Sequence, residues 1–362
     1  MKILHLSSEA SWRGGEQQMA YLIAELQQQG IQPMVACRTG SAFADYCQQQ
    51  SWKHEPLSFR NSFDIKTALA IKRICTREKI DLVHIHSGKS HGIAVLAAAL
   101  GNRIPLVLSR RVDFPVRQNR LTRWKYNHPQ IKKIVCVSQA IEKIVRSGIE
   151  RPDRCVTVHS GIDATRFKAP SGYLRKRFAL SPDTLLIGNT SALADHKDYF
   201  TFVDTAEIVL AQQPNVRFII MGDGPEKEVI QNYIAQKKLQ DRVLMTGFLT
   251  NIEKVLPELD IFLMTSQTEG LGTSILDAFA CRIPVVATDA GGIPEMVKHE
   301  KTGLLAPIKS SEKLAVQLLR LINQPSLGEH LAQQAFQLLT QSFTHQIMAQ
   351  RTLDIYNQVM DR

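Results

Sequence analysis

Residues 261–280 read IFLMTSQTEGLGTSILDAFA. Ile261 to Met264 form an apolar run of strand length, and Thr265 to Glu269 are a polar loop. Gly270 and Gly272 then open a stretch, Thr273 to Ala280, with the apolar weight of a buried helix. Strand, glycine-bearing loop and helix make up half of a βαβ unit, which implies a parallel sheet covered on both faces. The stretch also raises a question. Asp277, eight residues after Glu269, sits inside a helix otherwise built from Ile, Leu, Ala and Phe.

Working outward, the same alternation covers the chain. Apolar runs predict strands at 3–7, 34–37, 82–86, 106–109, 134–137 and 156–159, and again at 185–188, 218–221, 243–246, 261–264 and 285–288. Between the first two, Met19, Leu22, Ile23 and Leu26 share a helical face, with Gly30 placed as a C-cap. The segment from Asp64 to Lys79 is read the same way, with Ile65, Leu69, Ile71 and Ile74 as its buried face. Periodicity lapses between Ala164 and Asp183, so the domain junction is expected within 164–181. This gives an α/β chain of two doubly wound domains, 1–165 and 166–344. A C-terminal helix at 345–362 follows, whose docking surface the pattern leaves open; the first domain is one candidate. Two such domains facing each other would form a cleft at the carboxyl ends of their strands, where ligands bind in these folds.

The 362 residues exceed one ordinary core, and 44% hydrophobic with 22% charged residues is a globular composition. No apolar run has the length to span a bilayer. Six scattered cysteines without a C-x-x-C pair argue for free thiols in a reducing compartment, hence a cytoplasmic protein. The net charge of +10 favours anionic partners such as nucleotides, phosphorylated sugars, nucleic acid or an acidic membrane. It is concentrated: from Arg110 to Lys133 there are eight basic residues against one acid, Asp113, interleaved with Phe114, Trp124 and Tyr126. Such a segment suits either an anionic membrane interface or a solvated basic loop over buried aromatics.

Four places can carry chemistry. Gly14 and Gly15 follow the first strand and begin a helix, so backbone can approach a ligand and free N–H groups can meet an anion. Met221-Gly222-Asp223-Gly224-Pro225 is strand-ending turn chemistry. Lys197 lies between a strand and a helix and offers a compact point charge for phosphate. In the opening stretch, Gly270, Leu271 and Gly272 lead into a helix whose N–H groups at Gly272, Thr273 and Ser274, with a favourable dipole, face an anion. Glu269 reaches a polar ligand group beside it, while the Asp277 carboxylate could take paired hydrogen bonds from vicinal hydroxyls or lie on a solvated face. His84 and His86 alternate on one strand; without a third ligand they make no metal site, and one is expected to line the cleft while the other packs.

The ordered set of Gly14-Gly15, HSGID at 159–163 with Phe167, Lys197, MGDGP, and TEGLGTSILDAFACRIPVVATDAGGIPEMV with TGLLAP resembles the retaining glycosyltransferases of family 4, which have the GT-B fold of two facing Rossmann-like domains. The resemblance covers nearly the whole chain. It implies a nucleoside diphosphate sugar as donor, no cofactor, and a glycan or lipid-linked acceptor, in cell-surface polysaccharide or lipopolysaccharide assembly. On this footing Gly14, Gly15 and Gly222 are donor-binding, Lys197 neutralises the diphosphate, and the backbone of Gly270–Thr273 cradles it. Glu269 contacts the transferred sugar or the reacting centre, and Asp277 holds the ribose. His86, Arg110 and Arg111 are acceptor-side candidates, with Asp113 as a candidate catalytic group.

Three positions depart from the family pattern. Ala192 stands where an arginine is common, Asp277 replaces the usual second Glu, and SRRVDF at 109–114 replaces a segment bearing histidine. No D-x-D metal motif occurs, so lysine and helix N-termini are expected to replace a metal. Two other readings are a nucleotide-sugar epimerase of the same fold and a nucleic-acid or polysaccharide binding module. No nucleic acid is expected as partner; peripheral contact with the inner face of an anionic membrane is.

Overall fold

The computed structural model describes Met1–Asp361. The chain divides into two compact units, Met1–Gly161 with the segment from His345 onward, and Ile162–Thr344.

The first unit is a seven-stranded sheet in the order β3-β2-β1-β4-β5-β6-β7, every pairing parallel. Its strands are β1 (Lys2–Ser7), β2 (Gln32–Arg38), β3 (His54–Leu57), β4 (Leu82–Ile85), β5 (Leu106–Arg110), β6 (Ile131–Cys136) and β7 (Cys155–Thr157). Strand order reverses between β1 and β4, so the loops following these two strands flank the switch point. The helix Gly14–Gln28 buries Met19, Leu22, Ile23 and Leu26, and Gly30 (φ +78°) turns the chain just beyond its end.

Two sequence expectations change here. The helix Ile65–Glu78 buries Thr67, Ala68, Ile71, Ile74 and Cys75, while Ile65 and Leu69 are exposed. Residues two apart, such as Leu69 and Ile71, cannot share a helical face; the buried set instead keeps helical spacing. The unpredicted β3 reads HEPL, and its proline fits an edge strand that pairs only with β2.

The last helix, His345–Met360, closes the first unit's core. Met348, Ala349, Ile355, Tyr356 and Val359 cluster with Ile3, Leu22, Leu26, Leu82, Val107, Val135 and Val158. Burying side chains of this size is worth about 1.5–3 kcal/mol each before entropy is counted. At the helix start, His345 Nε2 lies 3.1 Å from Glu25 Oε1.

The second unit is a six-stranded parallel sheet, β10-β9-β8-β11-β12-β13. The strands are β8 (Leu185–Thr190), β9 (Val216–Met221), β10 (Val243–Gly247), β11 (Ile261–Met264), β12 (Val285–Thr288) and β13 (Leu304–Ala306). The reversal falls between β8 and β11. Three-residue β13 is too short to show as an apolar run. The chain passes between units at Gly161–Ile162, ahead of the aperiodic stretch expected to hold the junction. That stretch is pinned to the second unit: the Glu258 carboxylate accepts hydrogen bonds from Tyr173 N (2.7 Å), Leu174 N (2.9 Å) and Ser171 Oγ (2.9 Å). Ile162 likewise donates its N–H to the Phe343 carbonyl, 3.0 Å away. A segment can lack periodicity and still be anchored when one buried acid satisfies its backbone.

Candidate active site

In the second unit the loops after β8 and β11 meet at the switch point. Thr265 Oγ1 donates to the carbonyls of Lys197 and Asp198, 3.0 Å from each, and Gln267 N donates to the His196 carbonyl at 2.8 Å. Asp198, at φ +50°, caps the helix Tyr199–Gln212 by accepting from Thr201 N at 3.2 Å. This fixes Lys197 at the end of a short turn, where its Nζ forms an ion pair with Glu269 Oε1. Ser266 Oγ donates to the same carboxylate oxygen at 2.9 Å. Two residues singled out separately in the sequence are therefore direct partners, and both are largely buried.

Gly272 (φ +89°) is the N-cap of the helix Thr273–Ala280 and supplies no side-chain cap, so the first-turn N–H groups are free of one. Two glycines that sequence reasoning quoted but gave no role hold this loop in place. A Cβ on Gly291 (φ +53°) would fall 2.1 Å from the Glu269 carbonyl oxygen, and one on Gly292 would fall 2.4 Å from that of Gly270. Gly292 N also donates to the Glu269 carbonyl at 3.0 Å. The Gly222 position has a similar explanation, since its Cβ would lie 1.9 Å from the Ser191 carbonyl oxygen. The loop after β9 thus braces the loop carrying Ala192.

Asp277 answers the opening question in part. It does not lie on a solvated face: Oδ1 is enclosed and has no hydrogen-bond partner among the described residues. Burial raises its carboxyl pKa to about 6, with Arg166 pulling the other way. A buried acceptor with nothing to accept is a costly feature that a ligand can satisfy.

In the first unit, Gly14 and Gly15 are the first two residues of the first helix, and the N-cap Arg13 makes no side-chain cap. Ser8 N donates to Ser87 Oγ at 2.9 Å, joining the loops after β1 and β4. Beneath them lies a cluster the sequence did not foretell. His5, on β1, faces His84 on β4, and with His86 they bring three ring nitrogens within 4.8 Å of one another. Burial lowers the pKa of His5 to about 3 and holds His84 and His86 well below the ordinary value, so all three rings are neutral at pH 7.

The rings do not suit a metal ion. His84 spends Nδ1 on the Tyr356 hydroxyl (2.5 Å) and Nε2 on Ser109 Oγ (2.8 Å). His86 Nε2 is 3.0 Å from His5 Nδ1, and Arg111 Nη2 is 3.3 Å from His86 Nδ1. Only His5 Nε2 lacks a partner among the described residues, and a guanidinium stands beside the cluster. His84 packs internally, whereas His86 reaches the arginine.

The two arginines read from the sequence as acceptor-side candidates diverge. Arg110 turns inward to the Tyr126 hydroxyl (3.0 Å) and the Phe114 carbonyl, with its guanidinium 4.7 Å from the centre of the Phe114 ring. Arg111 stays beside Gly15. Asp113 makes no ion pair with either, or with any other described residue. Around it Val112, Phe114, Leu121 and Trp124 are exposed, while Tyr126 is buried.

Comparison with known proteins fits this arrangement. Residues 12–166 match the family described as glycosyltransferase family 4, and residues 173–338 match glycosyl transferases group 1. The chain belongs to glycosyltransferase family 4.

It is 25% identical over 308 residues to the N-acetyl-alpha-D-glucosaminyl L-malate synthase of Bacillus anthracis, covering 82% of this chain and 80% of that one. It is 23% identical over 281 residues to the UDP-Gal:alpha-D-GlcNAc-diphosphoundecaprenol alpha-1,3-galactosyltransferase of Escherichia coli, covering 73% and 72%. The crystal structure of HepE from Anabaena, in complex with UDP and glucose, superposes with a TM-score of 0.85 at 23% identity, covering 99% of this chain and all of that one. The fold is GT-B. This family member acts on sugar donors. Among the described residues, no helix is long and apolar enough to cross a membrane.

Proposed function

We propose that this glycosyltransferase takes a sugar from a nucleoside diphosphate, with UDP the first candidate, and transfers it with retention to a glycan or lipid-linked acceptor. The single observation that carries the donor assignment is the orphaned Oδ1 of Asp277. A ribose offers two adjacent hydroxyl donors, and a buried carboxylate accepts from both. UDP is favoured because HepE binds it and the Escherichia coli relative is named for UDP-Gal.

The chemistry follows from charge. Breaking the glycosyl–phosphate bond sends the bonding pair to the diphosphate oxygen and leaves positive character on the sugar. Lys197 and the uncapped first turn of the helix Thr273–Ala280 stabilise the departing anion. Glu269, held by Lys197 and Ser266, stabilises the sugar. With retention, the acceptor hydroxyl attacks from the face the diphosphate leaves, and its proton passes to a diphosphate oxygen. The lysine takes the part a metal plays elsewhere.

An acceptor used in cell-surface polysaccharide or lipopolysaccharide assembly suits the basic segment, whose exposed Val112, Phe114, Leu121 and Trp124 fit an anionic membrane surface. Calorimetric titration with UDP, GDP and ADP, on wild type and Asp277→Ala, tests the donor assignment. One nucleotide should bind, and the variant should lose it. Equal binding by both proteins refutes the ribose role, and conversion of the donor to an isomer without any acceptor would identify an epimerase.

A further inference from the structure

A cavity of about 570 Å³ in the first unit lies where the segments leading into β5, β6 and β7 meet the end of the last helix. All strands of this sheet run parallel, so the cavity is at their amino ends, opposite the carboxyl ends that carry Gly14, Gly15, His86 and Arg111. Ligands of such folds ordinarily meet the carboxyl ends, where helix N-termini converge. Here the charge comes from side chains: Arg103, Lys132, Lys133, Arg151 and Arg154, against Asp153.

An irregularity in the sheet brings the two lysines together. Leu106 pairs with Ile131 and Val107 with Lys133, so Lys132 is an extra residue bulged out of β6. In a regular strand, neighbouring side chains point to opposite faces. The bulge breaks that alternation, and Lys132 and Lys133 line the same cavity. Neither lysine, nor Arg103, makes a side-chain hydrogen bond or an ion pair among the described residues. Asp153 is taken up by Arg151, whose Nε and Nη2 reach its two oxygens at 3.1 Å each. Four cations are thus left without a carboxylate. Arg154 donates Nη1 to the His128 carbonyl at 3.0 Å; burial and the charge of Arg151 lower its pKa, with Asp153 offsetting part of this.

The last helix does not cancel this charge. Its final carbonyls amount to about half a negative charge, and Asp361 beyond them is exposed and in no ion pair among the described residues. Like charges gathered around one concavity repel one another and raise the local concentration of anions.

We infer that this cavity binds a small soluble molecule carrying two or more phosphate groups. Each phosphate monoester brings about 1.5–2 negative charges at pH 7, so two of them match four unpaired cations. The arginines add paired hydrogen bonds to the oxygens. The site is concave and of small-molecule size, which favours a soluble ligand over a flat anionic surface. It stands apart from the donor and acceptor proposed above and does not depend on them.

The test titrates inorganic pyrophosphate, with calorimetry and melting temperature as readouts. Two backgrounds keep the proposed donor site out of the signal: wild type with saturating UDP, and Lys197→Ala. Pyrophosphate should bind in both, and single inorganic phosphate at least tenfold more weakly. Arg103→Gln with Lys132→Gln should weaken pyrophosphate at least tenfold in each background and leave UDP affinity unchanged; both residues are exposed and without side-chain partners, so the fold should hold. Lys132→Glu, which sets an acid among the cations, should raise the melting temperature without ligand and remove the further rise that pyrophosphate gives wild type. Pyrophosphate binding that is absent from both backgrounds, or equal with and without the two Gln substitutions, overturns the site. The Lys197→Ala titration stands even if UDP does not bind, so failure of the donor reading is read separately. Vesicles of phosphatidylglycerol in phosphatidylcholine form the last arm. Capture of wild type that the two Gln substitutions abolish, with no pyrophosphate binding, assigns the cavity to a lipid headgroup and overturns the soluble ligand.

Discussion

Asp277→Asn should make the protein more stable and its nucleotide binding weaker. The carboxyl titrates near 6 in the folded chain because it is buried, against about 3.9 for an unperturbed aspartate. The folded state therefore holds the proton more tightly than the unfolded state does. Stability is lost as pH rises from about 4 to about 6, and the full penalty persists above that window. Two pH units at 1.36 kcal/mol each set the penalty at about 3 kcal/mol at pH 7. Asparagine keeps the shape and removes the charge, but its amide must find a partner, so about 1–2 kcal/mol of net stabilisation is expected. In a unit of this size that is a rise of roughly 2–8 °C in melting temperature.

Ligand binding should move the opposite way. Losing one or two hydrogen bonds to a carboxylate costs about 2–4 kcal/mol, or roughly 30- to 1,000-fold in UDP affinity. Differential scanning calorimetry and UDP titration between pH 4 and pH 8 give both quantities. The stability gain should shrink to a small remainder by about pH 4, where the folded carboxyl is protonated and the unfolded one about half so. Wild-type UDP affinity should fall as pH drops through 6, while that of the variant stays flat. A variant that is less stable than wild type at pH 7, or whose stability difference ignores pH, would show that the carboxylate is not desolvated. Unchanged UDP affinity would show that it does not face the ligand.

Two further substitutions probe each unit separately. Glu269→Gln removes the competitor that holds Lys197, so UDP affinity should stay equal or tighten several-fold while sugar transfer falls at least 100-fold; loss of UDP binding together with transfer would contradict the separation of roles. Tyr356→Phe deletes the hydroxyl on His84 Nδ1 and should cost about 1–3 kcal/mol in urea unfolding. UDP affinity should not change in that variant, and a cost below about 0.5 kcal/mol would mean the contact contributes nothing.

What the sequence made legible was the local part of this molecule. Strands buried on both faces announce themselves as apolar runs, which is why β11 and β12 were bounded to the residue. The signal fails where burial is one-sided or brief, as in HEPL at the sheet edge and LLA at 304–306. It misleads where apolar residues fall off the helical repeat, as Ile65 and Leu69 do. Lys197 and Glu269 on their loops and Asp277 in its helix were visible because glycines and charges stand out against an apolar background. Their partners were not. His84 meets a tyrosine 272 positions away, and His5 meets His86 across 81. Nor does any local pattern distinguish Arg110, folded onto aromatics, from Arg111, left beside the helix start. Such pairings are made by sheet order and register, which only the assembled fold supplies.

In the second unit a largely buried cation already has its anion. Lys197 is closed onto Glu269, so in the proposed reaction an arriving diphosphate would exchange one anion for another rather than enter an empty field. Its backbone is anchored through Thr265, and the Glu269 loop is wedged by Gly291 and Gly292, so the exchange needs a side-chain movement and little else. On that proposal, the groups that would stabilise the leaving diphosphate stand in place before it develops charge, as a preorganised site requires.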